Sequence, residues 1–349
     1  MRFPKNLRDG GTIGFLAPSF GCSTEPYQSS FDNARKVLAG KGYRLALGPN
    51  CYEGAGVGIS NLPEKCGAEV MEMFASEADV LISCGGGELM CEILPHVDFD
   101  RLAGLPPKWF MGYSDNTNLT FLLATLADTA SVYGPCGDTF GREPWHPALQ
   151  DALGVLTGQV RTVRSYGTWE AESLRDEEHP LAPYHLTEPL AIRAFAGRRE
   201  IGTGELAGNP LVFSGRLLGG CLDCLVTLVG TRFDRTRAFA ERYKEDGILW
   251  FLEACDLNVF SIRRAMWQME QAGWFEGVKG FLIGRPRNGA PMMNLDAHEA
   301  VLEVAGRYGV PVVMDVDLGH MPPMMPVIVG SLGTVSVSGN SMELKMECS

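Results

Sequence analysis

Short apolar runs alternate with amphipathic stretches over roughly the first 135 residues of the chain. The runs are typical of buried strands, and the stretches carry apolar residues at helical spacing. Strands that alternate with helices indicate a parallel sheet with helices on both faces. Ligands bind such sheets at the carboxyl ends of the strands, so we expect the functional residues in the loops that follow them. The predicted strands cover residues 12–18, 43–47, 78–83 and 109–113, and the predicted helices include residues 28–38, 62–75 and 119–126.

The alternation stops between residues 141 and 189, where Pro, Gly, Trp, His and acidic residues accumulate. We expect an interdomain linker and a long substrate-side loop there. A chain of 349 residues also exceeds the size at which a single hydrophobic core stops growing. The pattern therefore predicts an N-terminal domain over 1–140 and a C-terminal domain over 190–349. The second domain has predicted strands at 248–252, 280–283 and 310–314, predicted helices at 262–272 and 295–308, and an edge hairpin at 334–346.

Charge and composition argue against two classes of binding partner, nucleic acids and membranes. The net charge is −12 and the basic residues are scattered, whereas a nucleic-acid binder carries a basic face, so no nucleic acid polymer is expected. No apolar run approaches the ~20 residues that span a bilayer, and no apolar signal core precedes Thr12. The ten cysteines then indicate reduced thiols rather than disulfides. We expect a cytoplasmic protein that does not bind a membrane.

A serine stands where a predicted strand runs into a predicted helix, in Gly112-Tyr113-Ser114-Asp115-Asn116. Such a turn exposes the serine hydroxyl at the top of the sheet, and the next N–H lies at a helix N-terminus, where negative charge is favoured. This suits a nucleophile with half of an oxyanion hole beside it. The match to G-x-S-x-G is partial, because Asn116 replaces the second glycine. Alternatively, Ser114 or Asp115 only caps the helix.

Three further loops carry candidate chemistry. The glycines of Ser83-Cys-Gly-Gly-Gly87-Glu let a ligand approach the backbone and present N–H groups, although they match no phosphate-binding motif and could serve packing alone. Glu253 ends the apolar run 248–252, and His320 follows the run 310–314. The other five histidines lie in polar or proline-rich surroundings typical of the surface. His320 would take the proton of Ser114, and Glu253 would hold the other imidazole nitrogen.

An ordered set of motifs resembles the LD-carboxypeptidase family of serine peptidases over roughly residues 12–330. The set comprises Gly86-Gly87, Leu94-Pro95, Asp98-Phe99, Gly112 to Thr117, Tyr133-Gly134-Pro135, Leu217-Leu218-Gly219-Gly220, Gly230-Thr231, Leu252-Glu253, Gln268, Ala272-Gly273, Gly284-Arg285 and Gly319-His320.

The resemblance implies a serine-type carboxypeptidase with Ser114 as nucleophile and Glu253 and His320 completing the triad. It implies an oxyanion hole from the backbone N–H groups of Gly87 and Asp115, no metal or organic cofactor, and a homodimer. The fold implied is α/β, with an N-terminal parallel-sheet domain of the flavodoxin or amidotransferase type. The second domain would be an α/β domain of the swivelling β/β/α type.

Three departures from the family pattern concern the substrate. Gly85 stands where murein-cleaving members carry an arginine, Cys221 where an asparagine is usual, and Arg263 where an aspartate is usual. One branch removes the terminal D-alanine of an L,D-linked cell-wall tetrapeptide. The other resembles the microcin C immunity proteins, which cleave the amide between an aspartyl residue and a modified nucleotide.

The missing arginine and the Trp-containing segment 141–189 favour the second branch, and hence a small peptide or peptidyl-nucleotide substrate. Trp169 or Trp145 could stack on a base, which is worth roughly 1–3 kcal/mol, or could simply pack the loop. Gly86 is a further candidate for substrate binding.

Other chemistries remain open from the residues. Asp315, Asp317, His320 and Glu253 could ligate a metal ion, because Asp315 and Asp317 would share a strand face. The pair Cys221 and Cys224 has no second pair, so we interpret it as buried thiols of a helix.

Two further alternatives concern catalysis itself. A non-catalytic binding protein is compatible with two α/β domains around a cleft. A cysteine nucleophile at Cys84 or Cys136 has less support than Ser114.

Overall fold

The computed structural model describes residues 1–349. The strands in chain order are β1 Thr12–Leu16, β2 Arg44–Leu47, β3 Val80–Ser83, β4 Trp109–Gly112, β5 Ser131–Tyr133, β6 Thr162–Arg164, β7 Thr168–Trp169, β8 Glu188–Pro189, β9 Arg193–Ala196, β10 Arg199–Ile201, β11 Leu211–Cys221, β12 Ile248–Glu253, β13 Val278–Gly284, β14 Pro311–Val316, β15 Val327–Val329, β16 Leu332–Ser338 and β17 Ser341–Glu347.

The helices complete the secondary structure. They are α1 Tyr27–Gly40, α2 Pro63–Ala75, α3 Phe99–Gly104, α4 Thr117–Thr125, α5 Pro147–Thr157, α6 Thr203–Gly208, α7 Leu222–Leu228, α8 Thr236–Arg242, α9 Val259–Gln271 and α10 Ala297–Ala305. Short 3-10 helices cover Met90–His96, Ser114–Asn116, Gly137–Gly141 and Gly306–Tyr308. No helix combines the length and the apolar character needed to cross a bilayer.

The first compact unit contains Met1–Val160, Glu172–His185 and Pro326–Ile328. Its six-stranded sheet has the order β15-β5-β4-β3-β1-β2, and the pairs among β1 to β5 are parallel. The order 2-1-3-4-5 is that of flavodoxin-like sheets. β3 and β4 consist wholly of buried residues, as expected of strands covered on both faces.

The second unit contains Arg161–Ala171, Leu186–Met325 and Val329–Ser349. Its nine-stranded sheet has the order β10-β9-β14-β13-β12-β11-β16-β17-β6. The four central strands β11 to β14 are parallel, and the flanking pairs are antiparallel. The predicted α/β class, with an N-terminal parallel sheet and a second α/β domain, is thus confirmed.

The segment 141–189 contains more regular structure than the sequence predicts. Helix α5 begins with Pro147 at its first turn, with the His146 side chain accepting the Ala148 N–H, and ends at Gly158 with φ 79°. The next element along the chain, β6, pairs with β17. The hairpin β16–β17 therefore does not form the edge of its sheet as predicted, because β6 occupies that edge.

Residues 172–185 of this segment belong to the first unit, although β7 and β8 on either side pair with each other in the second. A buried ion pair holds the segment, with Arg175 Nη1 2.8 Å from Asp138 Oδ2. The Arg175 guanidinium also lies 5.0 Å from the ring centroid of Tyr27.

Candidate active site

In the first unit, Ser114 occupies a strained turn directly after β4. Its φ is 62°, a left-handed conformation that costs a non-glycine residue roughly 1–3 kcal/mol and clusters at functional sites. The turn leads through the 3-10 helix into α4, which is the strand-turn-helix setting of nucleophilic serines. The Ser114 backbone N–H donates to the Tyr133 hydroxyl at 3.2 Å.

Asn116, which stands in the place of the second motif glycine, braces this turn. Its Nδ2 donates to the carbonyl oxygens of Gly85 at 2.8 Å and Tyr113 at 3.1 Å. The side chain lies over Gly112, where a Cβ atom would come within 2.9 Å of the Asn116 Cβ. Asn116 occupies the N-cap position of α4 without a side-chain capping hydrogen bond, and Tyr113 occupies that of the preceding 3-10 helix, so neither Ser114 nor Asp115 is an N-cap residue.

The glycine loop after β3 lies beside Ser114. A Cβ atom at Gly86 would come within 3.4 Å of the Ser114 hydroxyl oxygen. At Gly87 a Cβ atom would overlap the Ser19 hydroxyl and approach the Gly58 carbonyl oxygen to 2.9 Å. Only glycine fits at residue 87, and the structure brings Gly86 together with Ser114.

The side chain of Asp115 is buried and forms hydrogen bonds with neighbouring loops. Its Oδ2 accepts hydrogen bonds from the Ser19 hydroxyl at 2.5 Å and the Met90 N–H at 2.9 Å, and Asn118 Nδ2 donates to Oδ1 at 3.1 Å. Burial, against these hydrogen bonds, raises the pKa of Asp115 to about 6. The carboxyl group thus holds loops together, and any part in an oxyanion hole rests on the backbone N–H.

In the second unit, Glu253 and His320 form a close pair. His320 Nδ1 lies 2.8 Å from Glu253 Oε2, and the Glu253 side chain is fully buried. Burial lowers the pKa of His320, but the negative charge of Glu253 and hydrogen bonds with Cys255 and Glu253 outweigh it, so the pKa lies well above its usual value. A buried carboxylate that holds one imidazole nitrogen is the arrangement expected of the acid and histidine of a catalytic triad.

Cys221 is a neighbour of this pair that sequence reasoning missed. It is the last residue of β11, in register with Glu253 on β12, rather than a residue of α7 as predicted. Its Sγ, a Glu253 carboxylate oxygen and a His320 ring nitrogen lie within 4.8 Å of one another. A hydrogen bond with Cys224, followed by burial, raises the pKa of the Cys221 thiol.

Arg285 belongs to the Gly284-Arg285 motif, to which the sequence alone assigns no role. Its Nη2 lies 2.6 Å from Asp317 Oδ1 and donates to the Met321 carbonyl oxygen at 3.3 Å. The Arg285 guanidinium lies 5.0 Å from the Trp169 ring centroid. Arg285 therefore connects Trp169 to the loop that carries His320.

Trp145 lies elsewhere in the first unit. Its Nε1 donates to the Phe140 carbonyl oxygen at 2.8 Å, and Lys41 Nζ lies 4.6 Å from its ring centroid. The cleft that Trp145 lines includes none of the residues around Ser114. The structure thus does not bring Trp145 together with Ser114.

The carboxylates proposed for a metal hydrolase are divided between different partners. Asp315 has φ 60° at an irregular register of β14, so it does not share a face with Asp317 as a regular strand would require. Asp315 Oδ2 lies 2.7 Å from His298 Nε2, whereas Asp317 pairs with Arg285. His298 is accordingly half-buried, although its sequence surroundings suggest a surface residue.

The two alternative cysteine nucleophiles are deeply buried. Burial raises the pKa values of the Cys84 and Cys136 thiols well above their usual value. A nucleophilic cysteine needs a lowered pKa and access to substrate, so neither thiol suits that role.

Comparison with known proteins matches both halves of the chain. The model of the LD-carboxypeptidase N-terminal domain matches residues 13–134, and that of the C-terminal domain matches residues 214–335. A proposed carboxypeptidase of Vibrio cholerae is 24% identical, with 99% of this chain and 98% of that protein covered.

Solved structures share the fold at low identity. An MccF-like protein from Bacillus anthracis has a TM-score of 0.80 at 21% identity, covering 99% of this chain and 100% of its own. The microcin C7 self-immunity protein MccF, solved with aspartyl sulfamoyl adenosine, has 0.77 at 21%, covering 99% and 98%. A muramoyltetrapeptide carboxypeptidase from Oxalobacter formigenes has 0.69 at 18%, covering 97% and 99%.

Proposed function

Since the chain belongs to the LD-carboxypeptidase family, we propose that it is a serine-type carboxypeptidase or amidase that cleaves a terminal amide bond of a small peptide-like or peptidyl-nucleotide substrate. The observation that carries this proposal is the left-handed turn of Ser114 after β4, with the glycine loop beside its hydroxyl. A strained serine on a strand-to-helix turn is the hallmark of an exposed nucleophile. The Glu253–His320 pair in the other unit supplies the matching general base.

In the proposed reaction, the Ser114 hydroxyl attacks the amide carbonyl carbon and His320 takes its proton. Glu253 bonds Nδ1, which fixes the tautomer that leaves the other ring nitrogen to accept the proton. The raised pKa of His320 supports this role, because the buried carboxylate stabilises the imidazolium that forms.

The tetrahedral intermediate would be stabilised by the backbone N–H groups of Gly87 and Asp115, of which Asp115 lies in the short 3-10 helix Ser114–Asn116. His320 then gives its proton to the leaving amine, and the amide C–N bond breaks. Water attacks the acyl-enzyme with His320 again as base, which releases the carboxylic acid and restores the Ser114 hydroxyl. No step needs a metal ion or an organic cofactor.

The position of Trp169 supports a nucleotide as part of the substrate. Arg285 contacts the Trp169 ring and also bonds the loop that carries His320. An aromatic face there can stack on a base. Gly86 leaves room for the substrate beside Ser114, and Gly85 replaces the arginine of murein-cleaving members. The MccF protein of this fold was solved with aspartyl sulfamoyl adenosine, which makes that compound the first to test.

Three further parts of the proposal concern organisation. From the sequence pattern we infer a cytoplasmic protein whose domains cover residues 1–140 and 190–349, with the linker and substrate-side loop between them. From the family relationship alone we infer a homodimer. Sedimentation equilibrium of the full chain tests the dimer, and a monomer at micromolar concentration would contradict it.

The deciding experiment compares hydrolysis of aspartyl sulfamoyl adenosine and of an L,D-linked murein tetrapeptide. Wild type, Ser114→Ala and Ser338→Ala are tested together, since Ser338 is an exposed serine of the β16–β17 hairpin. We expect cleavage of the nucleotide conjugate by wild type and Ser338→Ala, and a loss of several orders of magnitude in Ser114→Ala.

The other outcomes are equally informative. Cleavage of the tetrapeptide alone would identify a murein carboxypeptidase, the candidate that the Oxalobacter formigenes fold match favours. Unchanged activity in Ser114→Ala would remove Ser114 from the mechanism. If wild type cleaves neither compound yet binds one of them, the chain is a non-catalytic binding homologue.

A further inference from the structure

Three potential metal ligands converge where the parallel strands of the second unit end. Cys221 ends β11, Glu253 ends β12, and His320 lies in the loop after β14. One ligand atom from each lies within 4.8 Å of the other two. Cys221 replaces the asparagine that family members usually carry, so the thiol in this position is a feature of this chain.

We propose that Cys221, Glu253 and His320 form a binding site for a thiophilic divalent cation of the Zn²⁺ type, and that its occupation stops hydrolysis. The metal binding stands whether or not the chain is a hydrolase. The inhibition rests on the proposed function, because it assumes His320 to be the general base.

The ligand chemistry fits zinc better than the hard cations. Thiolate, imidazole and carboxylate are the groups that bind Zn²⁺, with bonds of about 2.0–2.3 Å. Thiolate in the set selects against Mg²⁺ and Ca²⁺, which prefer oxygen ligands. Cys224 lies next to Cys221, and Cys255 lies next to His320. The fourth ligand of the metal ion can therefore be one of these thiols or a water molecule.

The geometry needs only small movements. In a tetrahedral site with those bond lengths, ligand atoms are about 3.3–3.6 Å apart. The present separations of up to 4.8 Å would contract, and the Glu253–His320 contact of 2.8 Å would open by about half an ångström. Both changes lie within the reach of side-chain rotation at the strand ends.

Occupation and catalysis exclude each other for a simple reason. Coordination forms one bond each to sulfur, oxygen and nitrogen, and it releases two protons to solvent, one from the Cys221 thiol and one from Nδ1 of the His320 imidazolium. The ring keeps its remaining proton on the other nitrogen. The Glu253–His320 hydrogen bond is lost at the same time, because the metal ion now stands between the two groups. A histidine held by a metal ion cannot take the proton of Ser114.

The test uses the full-length protein after dialysis against a chelator, with Co²⁺ as a spectroscopic probe of the zinc site. Tetrahedral Co²⁺ bound by thiolate gives visible d–d bands and a sulfur-to-metal charge-transfer band in the near-ultraviolet. We expect these bands in wild type and in the control Cys348→Ser, and their loss in Cys221→Ser. Cys221→Asn, which carries the usual family residue, serves if Cys221→Ser fails to fold.

Inhibition is measured on the same proteins as Zn²⁺ titrations of hydrolysis, each relative to its own metal-free rate. Chelator should restore the wild-type rate, and Cys221→Ser should need at least about tenfold more Zn²⁺ for half-inhibition. Bands that persist unchanged in both Cys221 variants, or no bands in wild type, would overturn the site. Thiolate bands without inhibition would overturn its effect on hydrolysis alone. Intact bands in a protein that cleaves no substrate would leave the site standing and reject the proposed function.

Discussion

Gly319 lies directly against the carboxylate of Glu253. A Cβ atom at residue 319 would overlap the Glu253 carboxyl group, and Gly319 has φ 83°, which disfavours any other residue. The residue before the candidate base therefore sets how closely the acid can approach the histidine. The Glu253–His320 contact of 2.8 Å depends on this absent side chain.

Gly319→Ala should therefore lower kcat/KM by about 100-fold or more, since displacement of a catalytic group by about 1 Å costs that much. Backbone strain adds a loss of about 1–3 kcal/mol in the free energy of unfolding. The matched control is Gly339→Ala, because Gly339 has φ 58° but no atom within 4 Å of a built Cβ. Equal losses of activity in both variants would attribute the effect to strain instead of overlap.

The Glu253–His320 pair predicts the acid limb of the pH–rate profile. Only neutral His320 can act as base, and its raised pKa places the loss of activity above the ordinary histidine value of about 6.5. Glu253→Gln removes the charge that favours imidazolium, so the pKa of His320 should fall and kcat should drop by about 10³–10⁴. NMR titration of the His320 ring measures the pKa even if the variant is inactive.

The same pair has a stability consequence with a definite sign. Because the folded pKa of His320 is raised, its contribution to the free energy of unfolding is complete below the unfolded pKa of about 6.5 and is lost as pH rises through the folded pKa. Asp315→Asn, which removes the acid of the His298–Asp315 pair, serves as control. The free energy of unfolding is measured by urea denaturation at several pH values for wild type and both variants. If Asp315→Asn changes its pH dependence as Glu253→Gln does, the stabilisation is not specific to the Glu253–His320 pair.

Asn116 predicts a coupling between the Ser114 turn and the glycine loop. Asn116→Ala removes two hydrogen bonds to backbone oxygens and should cost about 1–3 kcal/mol in urea unfolding. It should also lower kcat, because the hydrogen bond to the Gly85 carbonyl oxygen no longer holds the glycine loop beside the Ser114 turn. The exposed Asn209→Ala should change neither quantity, and an unchanged kcat in Asn116→Ala would show that the loop needs no such tie.

Trp169 predicts selectivity for the nucleotide. Trp169→Ala should weaken binding of aspartyl sulfamoyl adenosine about 5- to 150-fold, the equivalent of ~1–3 kcal/mol of stacking, and leave the tetrapeptide unaffected. Trp145→Ala is the matched control, since Trp145 packs against Phe140 and Lys41 in a cleft that no residue of the Ser114 turn lines. Isothermal titration with Ser114→Ala protein isolates binding from turnover. A larger loss in Trp145→Ala would reverse the assignment.

Sequence patterns predict elements that local spacing determines. The buried run that ends in Glu253 and the strand that ends at Gly112 lie where the apolar residues indicate. Helix α5 is also predictable from sequence in principle, because its buried residues recur at helical spacing between Pro147 and Gly158. The Pro- and Trp-rich flanks make the whole segment resemble a loop.

Relationships across the sheet are beyond such patterns. Cys221 meets Glu253 through the register of β11 against β12, which no local spacing encodes. The division of Asp315 from Asp317 depends on a positive φ that a regular strand pattern does not anticipate. Strand order and register must be known before the neighbours of the Glu253–His320 pair can be named.

The interleaving of the two units has a consequence for synthesis on the ribosome. The outer strand of the first sheet, β15, comes from Val327–Val329, and a stabilising arginine comes from residues 172–185. A nascent chain that has emerged only to residue 160 therefore carries a sheet with an unpaired outer edge, open to association with other chains. That edge is covered only after residues 327–329 have been synthesised, so a fragment that ends at residue 160 should be insoluble instead of forming an autonomous N-terminal half.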